Sequence, residues 1–221
     1  MTALRTEELI GILVSQMHPV RPLRPPARRV AAWAAISLPW VALVVFIMGL
    51  RPDLHARLVD GRWLTELAAA AATAITAAHA ALSAGIPGRG RRRERFVPLA
   101  FLALWLGLLG RGCIVTSQIH GAAGFVLRSD WHCLPAVVAA GFVPGLIIAR
   151  MISRGVPLAP TSTAALGALA TAAMGDLGLQ LFHQVDSSLM VLIWQGGGVV
   201  GLTLLGASLG PRLLRWRLDI P

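Results

Sequence analysis

Six stretches of this chain are each long and apolar enough to cross a lipid bilayer. A spanning helix needs about 20 mostly apolar residues, because a hydrocarbon core of ~30 Å is crossed at ~1.5 Å per residue. Segments 30–50, 63–84, 96–118, 131–152, 161–182 and 188–209 meet that length. Lipid offers no partner for a bare N–H or C=O, so a run of this kind pairs its backbone internally, as a helix. The first, "VAAWAAISLPWVALVVFIMGL", is too long for a signal-peptide core and is read as a retained span. The second is rich in alanine, which contributes little to insertion, and it is the weakest of the six. Without it the number of spans would be odd and the two termini would lie on opposite sides.

Composition agrees with this reading. Charged residues make up 14% of the chain, against about a quarter in soluble domains, and 56% of residues are apolar. All loops are short, so no second soluble domain is expected. The predicted fold is all-α: a polytopic bundle of six transmembrane helices over 30–221, preceded by a non-membrane segment over 1–29 that carries one short amphipathic helix.

The net charge is +10, and every basic residue other than histidine is arginine. On a soluble protein that charge would suggest nucleic acid. Here the arginines alternate with the loops. With the N-terminus inside, fifteen lie on the inner side: in the N-terminal tail, in "GIPGRGRRRERF", at Arg150 and Arg154, and in the C-terminal tail. Only Arg51, Arg57, Arg62 and Arg128 lie outside, and Arg111 falls within a span. This asymmetry predicts both termini on the cytoplasmic side and makes "RRRER" a topology anchor rather than a nucleic-acid patch.

The segment ahead of the first span has two parts. In "TEELIGILVSQM", Thr6 suits an N-cap, and Glu7 and Glu8 suit a first turn. Leu9, Ile10, Leu13, Val14 and Met17 recur on one helical face. A helix of about three turns is marginal alone in water and needs a surface to lie on. Lipid, the protein's own bundle and a protein partner are all available. Interfacial helices favour Lys and Arg on the polar face, and this one carries Glu7, Glu8, Ser15 and Gln16, which weakens the lipid option. Docking into a partner's groove uses the same apolar stripe. The second part, "HPVRPLRPPARR", is proline-rich, extended and semi-rigid: a spacer that holds the helix away from the membrane.

Ionisable groups at membrane depth are costly and are functional candidates. Arg111 and Asp176 both fall in the outer halves of their spans and could pair. Alternatively, Asp176 and His183 face an outer cavity with His120 and His132, a candidate sensing or metal site. Cys113 and Cys133 both lie toward the outer side. A disulfide, a shared metal site and two ordinary buried thiols remain open for them. "GGGVVGLTLLGASLG" spaces Gly197 with Gly201 and Gly206 with Gly210, for close packing or a dimer face. No Cys-x-x-Cys motif and no Ser/His/Asp constellation stands out, so neither an enzyme nor a bound cofactor is expected.

Taken together, "TEELI", "PVRPLRPPARR", "LRPDL" after the first span, "RW" opening the second, "HCLP" at the fourth, "FH…DSS…IW" between the fifth and sixth, and the closing "GASLGPRLLRW" resemble the NrsF family, negative regulators of sigma F. The resemblance implies a bacterial inner-membrane anti-sigma factor. Its N-terminal segment, through Glu7, Glu8, Leu9, Ile10, Leu13, Val14 and Met17, would hold an extracytoplasmic-function sigma factor until envelope, metal or oxidative stress releases it. The family also implies two outer cysteines that sense the stress. Cys133 matches the first. The second usually follows a histidine after the fifth span, and here His183 is followed by Gln184, so the pair is broken and Cys113 is the only other thiol. The expected partners are therefore a sigma factor and the bilayer, with a homodimer as a further option. A small six-span transporter or metal-handling protein is the alternative.

Overall fold

The computed structural model describes residues 6–16, 23–86, 92–120, 133–155, 157–183 and 191–214. Among them are eight α-helices and no strand. They are α1 (Thr6–Ser15), α2 (Pro26–Met48), α3 (Leu54–Leu58), α4 (Gly61–Ala84), α5 (Phe96–His120), α6 (Cys133–Ser153), α7 (Pro160–Phe182) and α8 (Gly197–Leu213). A turn of π-helix, Val191–Gly196, leads into α8. Six helical segments are long and apolar enough to cross a membrane: α2, α4, α5, α6, α7 and Leu192–Arg212. The all-α, six-span expectation holds, and the chain is built as a multi-pass membrane protein. One boundary moves. Residues 26–29, expected in the proline-rich spacer, are helical. Pro25 is the N-cap and Pro26 opens α2, where the missing proline N–H leaves no helical bond unmade.

The centre of the bundle is α7, which packs against α2, α4, α6 and α8; α5 packs on the far side of α4. In the most apolar stretch of each span, 67% of α7 and 56% of α4 is buried inside the protein, against 17% for the last span. The alanine-rich second span, expected to insert most weakly because alanine contributes little, is therefore a core helix. Its Ala70, Ala74, Ala77, Ala78 and Ala81 are fully buried. Between apolar helices in lipid, close backbone approach takes the place of hydrophobic drive, and alanine and glycine permit it. A Cβ on Gly175 would lie 2.6 Å from the Val137 carbonyl of α6, and one on Gly206 would lie 2.4 Å from the Ala168 Cβ of α7. Gly206 and Gly210 thus serve packing inside the protein. Gly197 and Gly201 have nothing within 4 Å of a Cβ position.

Polar bonds tie the helix ends. Where α2 begins, the buried Arg29 guanidinium donates to the Leu82 carbonyl at 3.2 Å and to the Met151 carbonyl. These carbonyls lie in the last turns of α4 and α6, where helical donors run out and positive charge is favoured. Beside them the chains leaving α4 and α6 touch: a Cβ on Gly155 would sit 2.5 Å from the Gly85 carbonyl oxygen. The indoles of Trp33 and Trp40 on α2 donate to the Pro144 and Ala139 carbonyls of α6 at 3.0 and 3.1 Å. Both bonds meet α6 close to its internal proline, Pro144.

At the opposite end the turn after α2 folds back onto α7. Gly49 takes φ +83°, a conformation that suits glycine, and its N–H caps α2 at the Val45 carbonyl. The Arg51 N–H then donates to the Leu181 carbonyl at 3.1 Å, in the last turn of α7. The Arg51 side chain, largely buried, reaches both Asp53 carboxylate oxygens at 2.6 and 2.8 Å, and Arg57 joins Asp53 at 3.1 Å. Asp60 caps α4 through the Arg62 N–H at 2.9 Å.

Candidate functional site

The predicted site residues fall into two groups. The first is α1. Its helix begins at Thr6, which is its first helical residue rather than a residue ahead of it, and carries Glu7 and Glu8 in the first turn. Every residue from Thr6 to Gln16 is exposed. That includes Leu9, Ile10, Ile12, Leu13 and Val14, which are between 41% and 60% accessible. The helix buries none of its own residues. Among the described residues, no part of the bundle covers this helix. Met17 lies outside the described residues.

The second group lies at the far half of α7. Asp176 is fully buried. Its Oδ2 accepts a 2.8 Å bond from the Gln180 amide one turn on, while Oδ1 has no hydrogen-bond partner among the described residues. The anticipated pair with Arg111 does not form. Arg111 is exposed on α5, and α4 packs against both α5 and α7. Arg111 therefore faces away from the core that holds Asp176, and a glutamine supplies the hydrogen bond instead. His183 ends α7: its N–H donates to the Leu179 carbonyl at 2.8 Å, and its ring meets Phe182 edge-on, with centroids 6.5 Å apart.

Cys113 is a half-buried free thiol on α5. Cys133 opens α6, but its side chain lies outside the described residues, as do His132 and the His120 side chain. Among the described residues no three His, Cys, Asp or Glu side chains come together as a metal site would require.

An exposed helix thus stands in sequence ahead of six packed spans. The profile of the NrsF family, negative regulator of sigma F, matches residues 13–216. The chain belongs to the NrsF family. The match covers nearly the whole chain, including all six spans, so the family resemblance seen in the scattered motifs is a property of the entire bundle. It begins within α1, and residues 6–12 precede it. No curated protein and no solved structure matches the chain significantly.

Two polar features escaped the sequence reading. Gln180 could have been found from its i+4 spacing to Asp176, a pairing that helices favour. Arg29 looked like one more arginine of the basic arm, and nothing local marked it as the residue that reaches the ends of α4 and α6.

Proposed function

We propose that the chain is a membrane-bound anti-sigma factor that sequesters an extracytoplasmic-function sigma factor through α1. The observation that carries this reading is the unburied apolar face of α1, which the proline-rich sequence ending at Pro25 joins to the first span. Leu9, Ile10, Leu13 and Val14 supply the apolar contact, with Met17 extending the stripe and Glu7 and Glu8 available to basic groups on the partner. Membership of a family of negative sigma-factor regulators supplies the class of partner.

The first and last spans enter and leave at the same end of the bundle. Arg29 at the start of α2 meets the end of α4, and the end of α8 packs on the start of α7. With the arginine asymmetry, this favours both termini on the cytoplasmic side of a bacterial inner membrane. The arm and its bait then face the compartment in which sigma factors work. The bundle acts as anchor and as receiver of an envelope, metal or oxidative signal, and carries no catalytic role. Cys133 and Cys113, with His132, His183 and Asp176, are the candidates for that reception.

The test is co-purification from the native host of full-length protein and of protein lacking residues 1–29. A sigma factor should be captured by the first and not by the second. Capture by neither, with both forms inserted in the membrane, would overturn the reading and favour a transport or metal-handling role.

A further inference from the structure

We propose that the groove between α6 and α8 holds one acyl chain of an anionic phospholipid, whose phosphate is bound by Arg150 and Arg212. Both helices pack on α7 and diverge from each other, leaving an apolar groove of about 620 Å³ floored by α7. That volume is typical of a small-molecule site. The walls are Phe142 and Leu146 on one side and Leu202, Leu205 and Leu209 on the other. The floor includes Thr171, whose hydroxyl is occupied by the Gly167 carbonyl at 2.9 Å. No lining group therefore asks for a polar occupant. Along α6 the lining runs from Val137 to Ile152, about 22 Å at 1.5 Å per residue. One leaflet of a ~30 Å core is shorter than that, so a full acyl chain can lie along it.

Among the described residues, arginine stands at one mouth of the groove. Arg150 follows the lining residue Leu146 by four positions, and Arg212 follows Leu209 by three, so each continues its wall on the same helical face. Both are exposed, and neither has an acidic partner among the described residues. They sit at the end where α6 and α8 finish, next to helix C-termini whose carbonyls already favour cations. An apolar slot within the membrane, topped by two exposed arginines, matches a lipid with one buried tail and a negative headgroup. Basic sites between transmembrane helices bind anionic headgroups in this way. The site is independent of α1 and of which partner α1 holds.

The deciding experiment is native mass spectrometry of the delipidated full-length protein in detergent, titrated with phosphatidylglycerol and with phosphatidylcholine of identical acyl chains. One phosphatidylglycerol should bind at least several-fold more tightly than phosphatidylcholine. The double variant R150Q/R212Q should weaken phosphatidylglycerol roughly tenfold or more and leave phosphatidylcholine unchanged. Ala149→Trp, which fills the groove, should weaken both lipids, whereas Phe46→Trp on the outer face of α2 should weaken neither. Equal binding of the two lipids, or full phosphatidylglycerol affinity in R150Q/R212Q, would overturn the proposal. So would a lipid-free dimer converted to monomer by Ala149→Trp, which would assign the groove to a second copy. Should Ala149→Trp fail to fold, the double arginine variant, altered only at exposed positions, still decides.

Discussion

Asp176 and Gln180 are joined by a 2.8 Å hydrogen bond inside the most deeply buried helix of the bundle, one helical turn apart. The carboxylate thus has one partner from its own helix and one oxygen with none among the described residues. A buried carboxylate with incomplete hydrogen bonding is expensive, which makes Asp176 a functional candidate.

Asp176→Asn keeps the shape and an acceptor for Gln180 while removing the charge. We expect it to raise the melting temperature in detergent. Gln180→Leu should lower stability by roughly 1–3 kcal/mol, the cost of leaving a buried acceptor unpaired. Differential scanning fluorimetry of the two variants checks both signs. A destabilised Asp176→Asn would mean that the carboxylate has a positive partner beyond those described.

Arg29 joins the start of the first span to the ends of α4 and α6. Arg29→Ala leaves two C-terminal carbonyls without their charged donor. At roughly 1.5–3 kcal/mol for each charge-assisted bond, the variant should melt well below the native protein. Arg28→Ala, at an exposed neighbour, should not. Equal melting of the two would show that the guanidinium is not a structural tie.

Gly155 and Gly85 meet backbone to backbone. The Cβ of Gly155→Ala would sit 2.5 Å from a carbonyl oxygen that cannot swing away, so the ends of α4 and α6 must separate. Overpacking of this kind costs about 1–3 kcal/mol. Gly197→Ala, with open space at its Cβ, should be neutral in the same thermal assay.

Asp53 carries a pH dependence that can be read in advance. Its bonds to Arg51, and then to Arg57, hold its carboxyl well below the usual carboxylate range. A carboxyl depressed on folding contributes stability above its unfolded pKa and loses it as pH falls through the lower folded value. The loop joining α2 to α4 should therefore stay docked on α7 through mildly acidic pH and loosen only in stronger acid. Asp53→Asn should lower the melting temperature at neutral pH and converge with the native protein at the acid end. A constant difference across the pH range would rule out this titration.

Leu13→Asp and Leu9→Asp test the bait directly. Each puts a charge on the exposed apolar face of α1 without touching a buried contact. Sigma-factor capture should be lost while membrane insertion and melting temperature stay native. Full capture by both variants would remove α1 from the interface.

Much of this protein was legible in the sequence. Six apolar runs dictate six helices, because lipid leaves the backbone no other way to pair. The spacing of Leu9, Ile10, Leu13 and Val14 marks an amphipathic helix, and its capping residues mark where it starts. Those are local properties, fixed by residue order over a few turns. Which helix is central could not be read that way. Its alanine content made the second span look the weakest inserter, yet alanine is what lets α4 lie close to α7. Arg111 and Asp176 looked like partners because both are charged at similar depth, but only packing decides which faces meet, and it gave Asp176 a glutamine and turned Arg111 outward. Arg29 and the groove between α6 and α8 likewise depend on where distant segments converge. Hydrophobic pattern sets how deep each residue lies; the small side chains that let particular helices touch set what each one meets.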